Sequence, residues 1–253
     1  MKARASIMVI GSEILKGVTL DTNSNWLARK LTNLGFEVVR ILVVPDSIED
    51  ISWGLRALLG LSSLIVTTGG LGFTEDDITA EAIASSLGLK LDKNEEAFNM
   101  IKARYGDEAY KYVKAAFIPE KARPLPNEVG VSPGFLLEFQ GRLVIALPGV
   151  PAEMREMFER YVEPLLQTVT GRASVKASIV TGHMVEAEVD GYIRDLRRLS
   201  DVYIKTHAER PVKVTIVAYG NSAEDACIRL NEVLGEISKR LRVVHVEKTG
   251  TCK

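Results

Sequence analysis

The chain has 253 residues, of which 46% are hydrophobic and 26% are charged, as is usual for a globular protein with a substantial core. Its formal net charge of −1 provides no overall basic field, which argues against a nucleic-acid partner. No apolar run approaches the ~18 residues of a membrane helix, and Glu13 and Lys16 interrupt the first apolar segment too early for a signal peptide.

The cysteines and histidines suggest no reactive centre. Cys227 and Cys252 lie late in the chain, form no CxxC motif and indicate no disulfide framework, so a reducing interior is the simplest compartment. The three histidines share no metal-ligand spacing, and the absence of GxSxG leaves nucleophilic hydrolysis unsupported. We therefore expect a cytoplasmic protein with no membrane partner.

Strand-like and helix-like segments alternate through the first ninety residues. Apolar or β-branched runs predict strands at residues 5–10, 36–44 and 61–68. Apolar residues at helical spacing predict helices around residues 26–34, 47–60 and 78–88. Such alternation with short connections predicts an α/β fold of three layers, α/β/α, in which helices cover both faces of a mostly parallel sheet.

The middle of the chain is less regular. A charged, helix-like segment covers residues 92–114, and residues 119–134 hold four of the nine prolines, which predicts a long ordered loop. The segments GFLLEF and RLVIAL then form a predicted hairpin. A further helix is expected from Pro151, well placed in the first turn, to about Thr168.

Beyond residue 170 the order of predicted elements changes to β-α-β-β-α-β. This is the split βαβ pattern of a small α+β domain, and the order is also KH-like. The segment has neither a GxxG clamp nor a basic, aromatic face, which favours a structural or dimerising role over RNA binding. We expect two domains, residues 1–170 and residues 171–253.

The segment TTGGLGFTEDDIT, residues 67–79, connects a predicted strand to a predicted helix. In open α/β sheets, ligands bind outside the carboxyl ends of the strands, where such loops gather. Glycines allow positive φ and the close approach of a ligand, and the amides before a helix N-terminus favour a phosphate. The segment matches neither GxGxxG nor GxxxxGK[ST], so a plain strand-to-helix turn is an equal alternative.

Three acids, Glu75, Asp76 and Asp77, crowd the predicted start of that helix. The helix dipole favours acids there, and Thr74 with Asp77 fits a capping box. A divalent metal between carboxylates and phosphate oxygens explains the same cluster, so capping and metal binding both stay open. Glu13 lies just past the first predicted strand. It is either a further acid at the predicted ligand edge or a solvated loop residue.

Three further segments are candidates for the same edge. Asp21 or Thr22 is an N-cap or a ligand contact, with capping favoured. Lys121, Arg123 and Asn127, in the proline-stiffened loop, are phosphate contacts or surface charge. LPGVPAEM, residues 147–154, is a stiff turn or a stretch of backbone beside the ligand.

Five segments in this order, GSEIL, DTN, TTGGLGFTEDDIT, KAR-P-PN with GVSPG, and LPGVPAEM, together resemble the CinA (competence-damage-inducible) family. More broadly, residues 4–168 resemble the molybdopterin-binding domain shared with MoaB and MogA proteins. The C-terminal part resembles the KH-like domain that follows in CinA proteins. Their amidohydrolase domain, which deamidates nicotinamide mononucleotide, is not expected in this chain.

The resemblance implies a domain that binds a phosphorylated nucleotide or pterin ligand. In CinA proteins this domain is linked to hydrolysis of ADP-ribose to AMP and ribose 5-phosphate with Mg²⁺, Mn²⁺ or Co²⁺. In MogA proteins it adenylylates molybdopterin. We therefore expect a metal-dependent hydrolase of the ADP-ribose pyrophosphatase type, and the resemblance also implies a homo-oligomer. The alternatives are a molybdopterin-binding or adenylylating protein and a non-catalytic nucleotide-binding protein.

The resemblance also implies roles for individual residues. Asp77 is expected to position the divalent ion, with Glu13 or Asp76 assisting. The expected ligand contacts are Thr68, Gly69, Gly70, Gly72, Thr74, Asp21, Asn23, Lys121, Asn127, Gly134, Pro148 and Gly149. Two positions depart from the family pattern: Ser12 replaces the aspartate of GDE, which weakens the expected metal site, and Phe73 replaces the proline of GLGPT, which alters the loop's stiffness or its contact with a base.

Overall fold

The computed structural model describes residues 3–171, 173–199, 201–249 and 252. Contacts divide the chain into two compact units, with the boundary after Leu166 and with residues 33–35 counted in the second unit. No helix in these described ranges is long and apolar enough to cross a membrane.

The first unit is built on a six-stranded sheet. The strands of the unit are β1 (Arg4–Ile10), β2 (Glu37–Val44), β3 (Leu64–Thr68), β4 (Leu91–Lys93), β5 (Phe117–Pro119), β6 (Arg123–Leu125), β7 (Gly134–Phe139) and β8 (Arg142–Leu147). β4 and β5 pair in a separate two-stranded antiparallel sheet, and the other six strands form the main sheet. The sheet order is β2-β1-β3-β8-β7-β6. β1 is parallel to β2 and β3, β3 is parallel to β8, and β7 is antiparallel to its neighbours β6 and β8. The predicted mostly parallel sheet and the predicted hairpin are confirmed.

Helices cover both faces of this sheet. They are α1 (Ser12–Leu15), α2 (Asn23–Asn33), α3 (Ile48–Leu59), α4 (Thr79–Leu87), α5 (Glu95–Tyr105), α6 (Pro151–Met157) and α7 (Glu163–Thr170). Met8 of β1 shares a core cluster with Ile51 of α3 and Ile83 of α4. Ile7, whose side chain points to the opposite face, is equally buried. The apolar run of β1 therefore reflects burial on both faces, as in other parallel sheets.

Three parts of the first unit differ from the sequence predictions. Gly106, with a φ of 56°, ends α5, and residues Gly106–Ala116 form a 3-10 helix instead of continuing the α-helix. β6 lies inside the predicted proline-rich loop, at the sheet edge, where the missing N–H of Pro124 is tolerated. The π-helical segment Phe158–Val162 separates α6 from α7, so the predicted single helix is interrupted.

The second unit is a four-stranded sheet with two helices. Its elements are β9 (Ala173–Thr181), α8 (Glu186–Ile193), β10 (Val202–His207), β11 (Lys213–Gly220), α9 (Ala223–Arg240) and β12 (Val243–Thr249). The sheet order is β10-β11-β9-β12, and every neighbouring pair is antiparallel. The buried residues of both helices and of the sheet form one core. The predicted split βαβ order is confirmed.

The expectation that the two cysteines remain unpaired is wrong. Cys227 of α9 and Cys252 form a disulfide, with their Cα atoms 5.5 Å apart. They are separated by 25 residues in sequence and come together only through the tertiary fold of the second unit. Spacing alone could not reveal this pairing, because neither cysteine belongs to a local motif.

Candidate functional site

A cleft of about 490 Å³ lies at the carboxyl ends of β1, β3 and β8. Its wall consists of the segments that follow these strands and of the start of α2. The three strands run parallel, so their carboxyl ends meet at one edge of the sheet. The volume falls within the roughly 300–1,000 Å³ of small-molecule sites.

The glycine loop, residues 69–72, lines this cleft. Gly69 and Gly70 have φ angles of 107° and 64°, which favour glycine. A Cβ on Gly69 would overlap the Ile10 carbonyl oxygen, and one on Gly70 would overlap the Thr79 hydroxyl. Thr79 Oγ1 donates to the Gly69 carbonyl oxygen at 2.8 Å. The loop is therefore packed tightly against the end of β1 and the start of α4.

The amides of this loop are available to a ligand. Among the residues that the structure describes, the backbone N–H groups of Gly70, Leu71 and Gly72 donate no hydrogen bond. Three successive amides without a partner can donate together to an anionic oxygen. The loop thus has the chemistry of a phosphate cradle.

Asp77 closes the turn that follows the glycine loop. Its Oδ2 accepts hydrogen bonds from the Thr74 amide at 2.9 Å and from the Thr74 hydroxyl at 2.6 Å. α4 begins only at Thr79, so the acids lie in a turn before the helix and not in its first turn as expected. The Lys114 ammonium anchors the same turn by donating to the Thr74 carbonyl. Asp77 and Asp76 both line the cleft.

Asn23 ties three sides of the cleft together. Its side-chain amide donates to Thr68 Oγ1 at 3.1 Å and to the Gly149 carbonyl at 2.7 Å. Thr68 Oγ1 donates in turn to the Pro148 carbonyl at 2.8 Å. Asn23 is only 7% exposed, and its Oδ1 has no partner within the described chain. These contacts hold α2 against the ends of β3 and β8.

Asp21 both caps a helix and lines the cleft. Its Oδ1 accepts from the Ser24 amide at 2.9 Å, and its Oδ2 accepts from the Ser24 hydroxyl. The favoured capping role of Asp21 is therefore present in the structure. Because the carboxylate also contributes to the wall, capping and ligand contact are compatible at this residue.

Asp46 is a cleft residue that the sequence did not single out. The Ser12 amide donates to Asp46 Oδ2 at 2.8 Å, and the Asp46 amide donates to Ser12 Oγ at 3.2 Å. Asp46 lines the cleft together with Glu13. Its position just past β2 was the available signal, since a loop that leaves a parallel strand reaches the ligand edge.

The loop of residues 127–132 contributes Val131 and Ser132 to the cleft wall. Asn127 Nδ2 donates to the Ser132 carbonyl at 2.9 Å and to Glu153 Oε2 at 2.6 Å. Arg104 donates to the Glu128 carbonyl at 2.6 Å and to the next carbonyl along the loop at 2.7 Å. Tyr161 of the π-helical segment donates to the Glu128 carboxylate at 2.7 Å. Burial and this hydrogen bond raise the pKa of Tyr161, so its hydroxyl keeps the proton that it donates to the loop. The loop is thus held by α5, α6 and the π-helical segment.

Four predicted ligand contacts do not line the cleft: Thr74, Lys121, Asn127 and Gly134. Thr74 is engaged by Asp77, and the Asn127 amide is engaged by Ser132 and Glu153. Lys121 is exposed in the turn between β5 and β6. Gly134 starts β7, where a Cβ would meet Ala146 and Met157. These residues support the walls or lie outside them.

The cleft wall is strongly acidic. Six carboxylate side chains line it: Glu13, Asp21, Asp46, Asp76, Asp77 and Glu153. No lysine, arginine or histidine of the described ranges joins them. A phosphate placed beside these carboxylates would be repelled unless a cation accompanied it.

Comparison with known proteins identifies the family. A model described as a probable molybdopterin binding domain matches residues 6–168. The chain belongs to the probable molybdopterin-binding domain family. A protein from Caldivirga maquilingensis is 39% identical over 96% of this chain and 98% of its own length. One from Aeropyrum pernix is 39% identical over 88% of each chain.

A solved structure is similar as well. The crystal structure of the protein CinA, of unknown function, from Thermoplasma acidophilum is 40% identical. The match covers 65% of this chain and 98% of that chain, with a TM-score of 0.62. The resemblance to CinA and to the molybdopterin-binding domain is confirmed, and with it the α/β fold.

Membership of the molybdopterin-binding domain family implies a small pterin or nucleotide ligand, as predicted. This family membership fits a role in molybdenum-cofactor-like biosynthesis or in nucleotide binding. Neither the family match nor the similar CinA structure supports the expected ADP-ribose hydrolysis.

An all-protein metal centre does not fit the molybdopterin-binding domain of this chain. No group of three His, Cys, Asp or Glu side chains that could hold a metal exists among its described residues. Magnesium, however, commonly uses only one or two carboxylates together with waters and substrate phosphates. The chemistry of Glu13 and Asp77 on the cleft wall fits an ion that arrives with a phosphorylated ligand.

Proposed function

We propose that the cleft binds a phosphorylated pterin or nucleotide, with a divalent cation between the phosphate and the carboxylates. The observation that carries this proposal is the pairing of three unengaged amides, at Gly70, Leu71 and Gly72, with an acidic wall that has no basic side chain among the described residues. The amides provide one set of phosphate contacts, and the cation provides the other.

The glycine loop supports the phosphate part of the proposal. Backbone amides carry partial positive charge and approach an oxygen closely where no side chain intervenes. At Gly69 and Gly70 the surrounding backbone and Thr79 leave no room for a Cβ. The loop therefore holds its amides in a fixed arrangement that a phosphate can use without reorganisation.

The acidic wall supports the cation part. Asp77 uses Oδ2 to hold Thr74, which leaves Oδ1 as a possible ion ligand in a fixed orientation. Asp46 is oriented in the same way by Ser12. When bound, a divalent ion would neutralise phosphate charge and stabilise charge that develops on a leaving phosphate. The residues of this chain orient the ligand and hold the carboxylates in place.

Hydrolysis of ADP-ribose to AMP and ribose 5-phosphate is the second candidate. The six carboxylates on the cleft wall favour it, because they exceed the one or two that an ion needs. A remaining carboxylate could accept a proton from an attacking water. Binding alone does not need that additional group, so turnover separates the two candidates.

The test is calorimetric titration with molybdopterin, AMP and ADP-ribose in the presence of Mg²⁺, Mn²⁺ or Co²⁺, followed by chromatography for released AMP. Asp77→Asn keeps an oxygen that can accept from Thr74, so the turn should survive while affinity falls. Glu138→Gln removes a carboxylate from the exposed end of β7, outside the cleft, and is the matched control.

Binding that Asp77→Asn weakens and Glu138→Gln leaves unchanged supports the proposal. Release of AMP from ADP-ribose, lost in Asp77→Asn, adds the hydrolase. An absence of binding to all three compounds would contradict the proposed function.

A further inference from the structure

Phe73 is an aromatic side chain on the wall of the cleft. It follows Gly72 directly, at the end of the glycine loop. The side chain is 43% exposed. Within the part of the chain that the structure describes, no other aromatic residue lines the cleft. What distinguishes Phe73 from the other exposed aromatic residues is its place on the cleft wall, directly after the glycine loop.

The ring is supported from one side. Phe73 and Tyr112 make an edge-to-face contact, with ring centroids 4.8 Å apart and planes at 72°. Tyr112 in turn contacts Tyr105, also at 4.8 Å between centroids. The backbone after Phe73 is anchored where Lys114 donates to the Thr74 carbonyl. The position of the ring is therefore set by the 3-10 helix and by α5.

This support leaves ring surface uncovered. Phe73 stays 43% exposed despite this edge-to-face neighbour, so part of its surface is free to contact a ligand. Bases stack on such faces regardless of their hydrogen-bonding pattern, because every base has a π-face. Purine and pterin rings share this property, whereas a sugar phosphate does not.

We propose that Phe73 stacks on the planar ring of the ligand and makes the cleft select ring-bearing phosphates over ring-less sugar phosphates. This inference rests on the proposed function, because it assumes that the phosphate lies at the amides of Gly70–Gly72. A phosphate held there places the remainder of the ligand beside the next residue of the same loop.

The test compares AMP with ribose 5-phosphate, which keeps the phosphate and the sugar and lacks the ring. Calorimetric titrations with Mg²⁺ are run on the wild type, Phe73→Leu and Phe73→Trp. Leucine keeps the apolar contact with Tyr112 and removes the π-face, whereas tryptophan keeps a π-face. Tyr110→Leu is the matched control, because Tyr110 is 67% exposed, contacts Phe98 and lies outside the cleft.

The wild type should bind AMP about tenfold more tightly than ribose 5-phosphate, as expected for one stacked base. Phe73→Leu should lose this preference and leave ribose 5-phosphate affinity unchanged. Phe73→Trp should keep the preference, and its tryptophan emission should change on addition of AMP and not of ribose 5-phosphate. Tyr110→Leu should behave as the wild type.

Equal wild-type affinity for the two compounds, or an equal loss of both affinities in Phe73→Leu, would overturn the stacking role and leave the proposed function standing. A wild type that binds neither compound would overturn both the stacking role and the proposed function.

Discussion

The Ser12 amide donates to the Asp46 carboxylate at 2.8 Å, and the Asp46 amide donates back to the Ser12 hydroxyl at 3.2 Å. This reciprocal pair joins the segment after β1 to the segment after β2. Ser12 stands where the CinA pattern has aspartate, and here its backbone amide orients the Asp46 carboxylate while its hydroxyl accepts from the Asp46 backbone amide. Ser12 thus holds in place a carboxylate that lines the cleft.

Replacing Ser12 by alanine should therefore reduce both stability and cation-dependent ligand affinity. The variant keeps the Ser12 amide and loses only the acceptor of the Asp46 amide, so the expected loss of unfolding free energy is about 1 kcal/mol. Denaturant unfolding and calorimetric titration measure the two effects. An affinity unchanged from the wild type would show that the contact between the Ser12 hydroxyl and the Asp46 amide has no part in binding.

Asn23→Asp tests the link between α2 and the ends of β3 and β8. A carboxylate cannot donate to the Gly149 carbonyl and would face it as a second acceptor, so the variant should be less stable than the wild type at neutral pH by about 1–3 kcal/mol. Burial raises the pKa of such a carboxyl above its unfolded value. The deficit should therefore shrink as pH falls towards 4, where the carboxyl group is protonated and can donate.

Denaturant unfolding of Asn23→Asp and of the wild type at several pH values measures this difference. A deficit that is constant with pH would contradict the expected contact with Gly149.

Gly70→Ala should destabilise the first unit more than Gly141→Ala does. Both glycines have positive φ, of 64° and 73°. No heavy atom lies within 4 Å of a Cβ on Gly141, whereas a Cβ on Gly70 would overlap the Thr79 hydroxyl. Gly141→Ala should cost roughly 1–2 kcal/mol for the left-handed backbone, and Gly70→Ala about 1–3 kcal/mol more for overpacking.

The Gly70 and Gly141 variants are compared by denaturant unfolding. Equal losses would mean that the glycine loop tolerates a side chain, which would weaken its assignment as a phosphate cradle.

Reduction of the Cys227–Cys252 disulfide should destabilise the second unit by about 3 kcal/mol, because the open chain gains conformational freedom when unfolded. Thermal unfolding with and without reductant measures this loss. The double variant Cys227→Ala, Cys252→Ala is the control and should not respond to reductant. A wild type that is equally insensitive to reductant would show that the disulfide does not form in solution.

Several features of the fold were predictable because they depend on local pattern. The apolar runs of β1 and β3 marked strands buried on both faces, and their alternation with helices indicated a parallel sheet. A parallel sheet places its loops at one edge, which led to the glycine loop, Glu13 and Asp77 as cleft residues.

Other features depend on contacts between distant segments and left no local signal. The hydrogen bonds between Ser12 and Asp46 join residues 34 apart in sequence, so the fixed orientation of the Asp46 carboxylate was not visible in the sequence. Asn127 reads as a phosphate contact, yet Glu153, 26 residues away, engages its amide. The strand character of β6 comes from its pairing with β7, against the usual avoidance of proline in strands.

The cation dependence of ligand affinity tests the central claim most directly. AMP affinity of the wild type is measured by equilibrium dialysis in Mg²⁺ and again in excess EDTA. Because six carboxylates and no basic side chain of the described residues line the cleft, affinity should be at least about tenfold weaker without the cation. Equal affinity in Mg²⁺ and in EDTA, or no binding in either, would contradict a cation held between the phosphate and the acidic wall.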